Sequence, residues 1–258
     1  MAVVVPAFDG DVDRALRSVR HWPSKCSDST RTNMDLILYY AGKEDNSSTA
    51  VFNDLREMDS TCFTSMRLVY GRLTEEEMAY PIGPSVQFFK MFLDEGVKEH
   101  FSCYDMLAWI EWDVIVTHDT SFERLYLAAF SNDEPFWVKG STLAGDNFHT
   151  TSALAGSWHI LGHLNGNAIY SNTDPTFKEF LSYARAQWGY SYPFDVVMWA
   201  TVSDFPYSWP LWQRYSRKFV TSSLISNIGF VDVSNRAVEN AISGDTLFIH
   251  GSSSGGGS

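Results

Sequence analysis

Apolar residues fall along this chain in two recurring patterns. Short continuous runs bounded by polar or turn residues alternate with stretches where apolar positions return every three or four residues. The first run, residues 2–6 (AVVVP), predicts a buried strand, followed by a loop of Ala7, Phe8, Asp9 and Gly10. Across residues 11–22, Val12, Leu16 and Val19 return at helical spacing with Arg14, Arg17 and Arg20 between them, which predicts a helix stopping before Pro23. Residues 35–40 (DLILYY) predict the next strand, and strand–helix–strand order points to a βαβ unit in a parallel sheet. Residues 47–58 predict a second helix and 65–70 (SMRLVY) a third strand. Glu75, Glu76 and Glu77 read as a solvated face. Pro81-Ile82-Gly83-Pro84 predicts a break, after which residues 85–93 form a helix with Ser85 as its N-cap.

Residues 104–118 (YDMLAWIEWDVIVTH) organise the rest. Apolar positions run up to Glu111-Trp112-Asp113, and Val114-Ile115-Val116 follow. In an extended strand Glu111 and Asp113 would share a face. Carboxylates in otherwise buried sequence need a partner, and Mg²⁺ or Mn²⁺ takes oxygen ligands, commonly one or two carboxylates plus a substrate phosphate. The expectation is that Asp113, with Glu111, holds a divalent cation at the end of a central strand; the plainer alternative is a cap or an ion-pair partner. His118 and Asp119 are weaker candidates nearby.

Beyond it, residues 121–130 predict a helix with Leu125 and Ala129 on one face, and 136–140 a strand entering a glycine loop. Residues 144–157 are small and polar, as in a loop over a site. In 158–170 (WHILGHLNGNAIY) His159 and His163 stand four apart, but the glycines argue against the helix a zinc site would need; Asn165-Gly166-Asn167 reads as a tight turn or a substrate-binding loop. Residues 175–187 predict a helix with Phe177, Phe180, Leu181 and Ala184 on one face. Asp195 is the one acid in 192–202: a helix N-cap, a buried acceptor or a general base. Tyr207, Trp209 and Trp212 read as a sugar-stacking wall or as core. Residues 219–230 contain a polar break at Ser226-Asn227, and 246–250 (TLFIH) predict a last strand ending at His250, a surface residue or a ligand.

Composition narrows the class. The 258 residues suit one large domain or two small ones, and 45% hydrophobic with 15% aromatic content supplies a core and pocket walls. A net charge of -12 disfavours nucleic acid and anionic membranes, though one bound metal would change the local sign for a nucleotide. Three scattered cysteines suit a reducing compartment. No stretch reaches membrane-spanning length and no basic region precedes the first apolar run, so a cytoplasmic protein with no integral membrane segment is expected. Asn46-Ser47-Ser48 matches a glycosylation acceptor, but nothing indicates secretion. Before the glycine- and serine-rich tail, GxGxxG after the first strand, GxxxxGK[ST], GxSxG and HExxH are all missing.

VVVPAFDG, IGPSVQFFKMF, YDMLAWIEWDV, GHLNGNAIY, PTFKEFLSYA, YPFDVVMW and TLFIHG together resemble nucleotide-sugar glycosyltransferases of GT-A type, over roughly residues 3–251. Within that family the pattern is similar to small soluble enzymes encoded by large algal viruses. The resemblance implies an α/β fold with a central mixed, mostly parallel sheet flanked by helices. It implies one catalytic domain over residues 1–251, with a donor half to about residue 118 and an acceptor half beyond, and a flexible tail at 252–258. It implies that Asp113 bridges Mn²⁺ or Mg²⁺ to the diphosphate of a UDP-sugar donor and that His250 completes the ligand set. Glu111 stands where aspartate is commoner, so it contacts the metal, a metal-bound water or the ribose. Pro6, Ala7, Phe8, Asp9, Glu111 and Trp112 would bind the donor. His163, Asn165, Asn167, Tyr207 and Trp209 would bind an oligosaccharide or glycoprotein glycan acceptor, and Asp195 would be the base of an inverting transfer. Two competitors remain. Sugar nucleotidyltransferases usually carry a glycine-rich, basic N-terminal loop that residues 7–12 lack; a non-catalytic carbohydrate-binding protein would use the aromatic segment alone.

Overall fold

β1 (Ala2–Ala7) pairs in parallel with β2 (Asp35–Tyr40) on one side and with β4 (Met106–Trp109) on the other, and every residue of β1 is buried. This is a computed structural model, and it describes residues 1–22, 33–44, 53, 62–79, 82–131, 134–142, 163–204, 206–231 and 245–252. Along the chain, α1 (Val12–His21) lies between β1 and β2, and β3 (Ser65–Tyr70) follows β2. Next come α2 (Glu75–Met78), α3 (Ile82–Leu93), α4 (Glu95–Lys98), β4 and β5 (Ile115–Val116). The second half contains α5 (Ser121–Phe130), β6 (Val138–Gly140), β7 (Ala168–Ser171), α6 (Pro175–Trp188), α7 (Phe194–Ser203) and α8 (Trp209–Tyr215). It closes with β8 (Phe219–Thr221), β9 (Ile225–Val231) and β10 (Phe248–Ser252).

The main sheet has seven strands in the order β3-β2-β1-β4-β7-β6-β8, and a three-stranded sheet runs β5-β10-β9. In the main sheet β7 alone is antiparallel to its neighbours, so the sheet is mixed and mostly parallel, as expected. Both of its faces are covered, which is why its strands are apolar runs rather than alternating ones. Val4, Ile37, Tyr39, Leu107, Trp109 and Tyr170 face a cluster that includes Phe88 and Phe92 of α3, Phe177 of α6 and Phe194 of α7. Val3, Val5, Leu36, Leu38, Ala108 and Ile169 face the other way, onto Leu16 and Val19 of α1 and Phe122 and Leu125 of α5.

Local chemistry explains the ends. In α6, Asp174 accepts from the backbone N–H of Thr176 and Phe177, Pro175 occupies the first turn, and Gly189 at φ +64 closes the helix in the left-handed region open to glycine. Thr74 and Glu77 form a reciprocal capping box on α2. Glu77 is not merely solvated, since it also pairs with Lys90 at 3.2 Å.

Several sequence expectations are corrected. Ile82, Gly83 and Pro84 do not break the chain, because α3 begins at Ile82 and Pro84 sits in the first turn, where a missing N–H breaks no helical bond; Pro81 lies outside the described residues. Ser85 is therefore inside the helix, and its hydroxyl donates to the Tyr192 carbonyl at 2.7 Å. The break after β8 falls at Ser222–Leu224, so Ser226 and Asn227 lie within β9. Cys62, buried among apolar side chains, is disulfide-bonded, which removes the support three free thiols lent to a reducing compartment; among the described cysteines Cys103 is free. The helix expected at 47–58 apart from Asn53, the loop at 144–157, His159, the acceptor at Asn46 and the tail beyond Ser252 lie outside the described residues.

Phe88 joins the layers under the site. Its ring stacks on Phe194 at 3.9 Å and 6°, and meets Tyr170 at 5.0 Å and Trp109 at 5.6 Å. Phe88→Ala should therefore cost about 3–5 kcal/mol in urea unfolding, the usual price of an aromatic-sized cavity. A loss under about 1 kcal/mol would mean that the site does not rest on this stack.

Candidate metal centre and donor cleft

The strand order reverses at β1. From β1 the chain steps outward to β2 and β3, then returns to place β4 on the opposite side. In open α/β sheets such a switch point leaves a crevice beyond the carboxyl ends of the strands. Here it holds a cleft of about 490 Å³, within the usual size for small-molecule sites. Pro6, Phe8, Asp9 and Asp11 line it after β1; Trp109, Glu111, Trp112 and Asp113 line it after β4; Met78 and Pro84 add apolar wall. Of the expected donor residues, Pro6, Phe8, Asp9, Glu111 and Trp112 are brought together. Ala7 does not line the cleft: it is fully buried at the end of β1, and its carbonyl accepts from Ala41 N–H at 2.8 Å.

Glu111 and Asp113 meet the same point by a route that differs from the expected strand. β4 ends at Trp109, the Ile110 N–H makes a last bond to Val4, and the chain turns so that Val114 N–H donates to the Glu111 carbonyl at 3.3 Å. β5 then pairs antiparallel with β10, setting Ile115 opposite Ile249 and so drawing His250 toward the turn. His250 Nε2 lies 2.8 Å from Glu111 Oε2 and 3.7 Å from Asp113 Oδ1. One ligand atom from each of the three falls within 4.8 Å of the others, the one such group found among the described residues, and His118 and Asp119 are not in it. Ligand atoms about 2.1 Å from one ion stand at most about 4.2 Å apart, so a slight side-chain rotation would close the set around Mg²⁺ or Mn²⁺. Two carboxylates and an imidazole suit either ion.

Neighbours hold these groups in place. Asn167 was expected to touch an acceptor; instead it is fully buried and grips Glu111 twice, its Oδ1 accepting from Glu111 N–H at 2.7 Å and its amide donating to Glu111 Oε2 at 2.9 Å. Burial alone would raise the Glu111 carboxyl, but the hydrogen bond and charge of His250, with the Asn167 amide, hold it below the ordinary value. Burial raises Asp113, against the charge of His250 and with the repulsion of Glu111. Burial would lower His250, yet its hydrogen bond to Glu111 and the charges of Glu111 and Asp113 raise it.

The loop before β7 reaches Glu111 through Asn167. Gly166 N–H donates to Asp195 Oδ2 at 2.9 Å, Val196 N–H donates to Asp195 Oδ1 at 2.9 Å, and His163 Nε2 is 3.5 Å from Asp195 Oδ2. Asp195 is buried in the first turn of α7, whose N-cap is Pro193, so the cap alternative is excluded and the acceptor alternative is realised. Burial pushes its carboxyl up, opposed by His163 and by the two backbone N–H groups. A Cβ on Gly166 would come within 2.8 Å of Phe194 Cζ, so the close approach of loop and helix needs glycine. Asn165 Oδ1 accepts from Asn167 N–H at 3.0 Å and braces the loop. Tyr207 and Trp209 are exposed, whereas Trp212 packs edge-on against Trp199 as core. Asn227, missed as a site residue, is a 3.1 Å neighbour of His250; the polar pair inside an apolar run was its one signal.

No family model and no curated protein matches this chain. Solved structures do. A galactosyltransferase, LgtC, with donor and acceptor sugar analogues aligns with 97% of this chain and 87% of its own at 12% identity and a TM-score of 0.56. Mouse xyloside xylosyltransferase 1 aligns with 97% of this chain and 98% of its own at 11% identity and a TM-score of 0.50. The glycosyltransferase GlyE of Streptococcus pneumoniae TIGR4 aligns at 12% identity and a TM-score of 0.52, with this chain spanning 55% of its length. The fold is that of GT-A glycosyltransferases. The switch-point cleft of this GT-A-like chain thus lies at the carboxyl ends of the strands that open the fold. No described helix is long and apolar enough to cross a membrane.

A cation held by this group would take the lone pair of His250 Nε2, so the proton there would have to leave first. With the His250 pKa raised, that proton is held to higher pH than in an ordinary histidine. Mn²⁺ affinity should therefore weaken as pH falls from about 8 to about 6, and calorimetry in buffers of different ionisation enthalpy should record proton release. Affinity that is flat over this range would remove His250 from the ligand set.

Proposed function

We propose that this protein transfers a sugar from a UDP-sugar donor to a hydroxyl of a glycan acceptor, with Glu111, Asp113 and His250 holding Mn²⁺ or Mg²⁺. The observation that carries this is the meeting of those three groups where Glu111 and Asp113 line the switch-point cleft. The cleft is lined by four carboxylates, Asp9, Asp11, Glu111 and Asp113, so a diphosphate is repelled from it until a cation is bound. When bound, that cation supplies the positive charge that stabilises the diphosphate as it leaves. In this reading Asp113, which no neighbouring side chain clamps as Asn167 clamps Glu111, would face the phosphates, while Glu111 would orient the set.

The remaining cleft groups suit a nucleoside sugar. Phe8 and Trp112 offer flat apolar surface, and the Arg14 guanidinium lies over the Trp112 ring at 5.8 Å. Asp9 is oriented by a hydrogen bond from the Tyr40 hydroxyl and can accept from a ribose hydroxyl. Trp109, almost fully buried, contributes to the apolar wall of the cleft. The likeness to a galactosyltransferase and a xylosyltransferase supports sugar transfer.

A donor panel scored by UDP release, with and without Mn²⁺, tests the reading. UDP release only with the metal is expected; pyrophosphate release would indicate a nucleotidyltransferase, and sugar binding without turnover a carbohydrate-binding protein. Asp113→Asn should keep the fold and lose most metal-dependent turnover, and unchanged Mn²⁺ affinity in that variant would refute its assignment as ligand.

Asp195 is proposed as the base that takes the acceptor proton in an inverting transfer, a role its raised pKa favours. A second reading has its own support: both carboxylate oxygens already accept backbone N–H groups, so Asp195 fastens the 163–167 loop to α7. Asp195→Asn removes the base but also turns an NH₂ toward one of the two backbone N–H groups, so some loss of stability is expected from the anchor alone. Loss of the base should lower kcat of the folded variant roughly 10²-fold or more with UDP affinity unchanged. Near-normal kcat, or product that retains the donor's anomeric configuration, would leave the anchoring role alone.

A further inference from the structure

β10 carries His250, and its register partner on β9 is Asn227. The Asn227 side chain is buried, with 1% exposure. Its Oδ1 lies 3.1 Å from Nδ1 of His250. Its amide nitrogen donates to Ser141 Oγ at 2.6 Å and faces the Ser141 carbonyl at 3.4 Å. A backbone carbonyl only accepts, so the NH₂ must be the end toward Ser141, and the end toward the imidazole is the oxygen. That oxygen only accepts as well, so Nδ1 of His250 carries a hydrogen. Nε2 is then the nitrogen turned toward Glu111 and Asp113.

The contact also spans two layers. Ser141 follows β6 of the seven-stranded sheet, while Asn227 and His250 belong to the three-stranded one. One amide therefore sets both the tautomer of the imidazole and the placement of its strand against the sheet whose β4 leads into Glu111.

We propose that Asn227, buttressed by Ser141, is the positioning residue that fixes the tautomer and aim of His250, presenting Nε2 to a divalent cation shared with Glu111 and Asp113. This rests on the metal reading above. Partners of this kind, one shell out from a metal, typically change affinity 10–100-fold. A merely structural amide would instead cost stability and leave the affinity of the folded protein alone.

The test titrates Mn²⁺ alone into metal-free protein by calorimetry, with melting temperatures recorded in EDTA. Asn227→Leu loses both contacts, whereas Asn227→Asp keeps an acceptor for the Nδ1 hydrogen. The leucine variant should bind roughly 10–100-fold more weakly, and the aspartate variant should recover most of that loss. A folded leucine variant with wild-type affinity, or an aspartate variant as weak as the leucine one, overturns the positioning role and leaves the metal reading standing. Wild-type protein that binds no Mn²⁺ overturns both. Nitrogen NMR of the wild-type imidazole in Mg²⁺ does not depend on the variants folding. A hydrogen on Nδ1 with none on Nε2 is expected, and the reverse overturns the proposal.

Discussion

An imidazole four-fifths buried against two carboxylates is the contact on which the site depends. Glu111 and His250 are 2.8 Å apart although they come from the middle and the far end of the chain. Burial penalises each charge separately, and their mutual attraction is the chief offset, helped by the Asn167 amide at Glu111 and by the charge of Asp113 at His250. The rest of the fold makes that meeting unavoidable. β4 delivers Glu111 to the crevice, a turn brings Asp113 round beside it, and β5, paired to β10, carries His250 back to the same rim.

The polar groups around this pair are rigidly placed because they grow from packed elements. Asn167 opens β7, the strand beside β4, and reaches Glu111 across a ladder whose register sets Trp109 opposite Ala168. Gly166 ties the same loop to α7 through Asp195, and Phe194 on that helix stacks on Phe88 of α3. Aromatic packing on one face of the sheet and carboxamide hydrogen bonds at its end are thus one structure, and a site built this way needs little reorganisation when ligands arrive.

Much of this was legible in residue order. Continuous apolar runs marked β1, β2 and β4 because strands covered on both faces need no alternation, whereas β3, a half-buried edge strand, was marked by its β-branched and aromatic residues despite Arg67. Glu111, Asp113 and His250 stood out as polar residues ending apolar runs, the pattern a strand-end site leaves. What was not legible depends on partners distant in sequence. Periodicity cannot distinguish a strand continuing through Glu111-Trp112-Asp113 from one that turns there, since the turn is set where the pairing with β1 ends at Val4. Asn167 resembled a substrate-loop residue because its partner is 56 positions away, and Asn227 looked like a break because nothing local announces a bond to His250 or to Ser141. Pro84 misled for the opposite reason: a breaker inside a helix is harmless in the first turn.

The arrangement also bears on the order of events in the cleft. The raised pKa of His250 favours its protonated form beside the two carboxylates, and that proton would compete with a cation for Nε2. A divalent ion held by one neutral imidazole and two carboxylates would leave no net positive charge, and Asp9 and Asp11 add further acids to the cleft lining. The protein alone therefore does not make a strongly attractive anion site. If the proposed donor binds here, its diphosphate would supply oxygens to the ion, and the affinities of metal and nucleotide would then depend on each other by the same factor. The clamps on Glu111 and His250 hold the protein half of that shared coordination shell in place before either ligand enters.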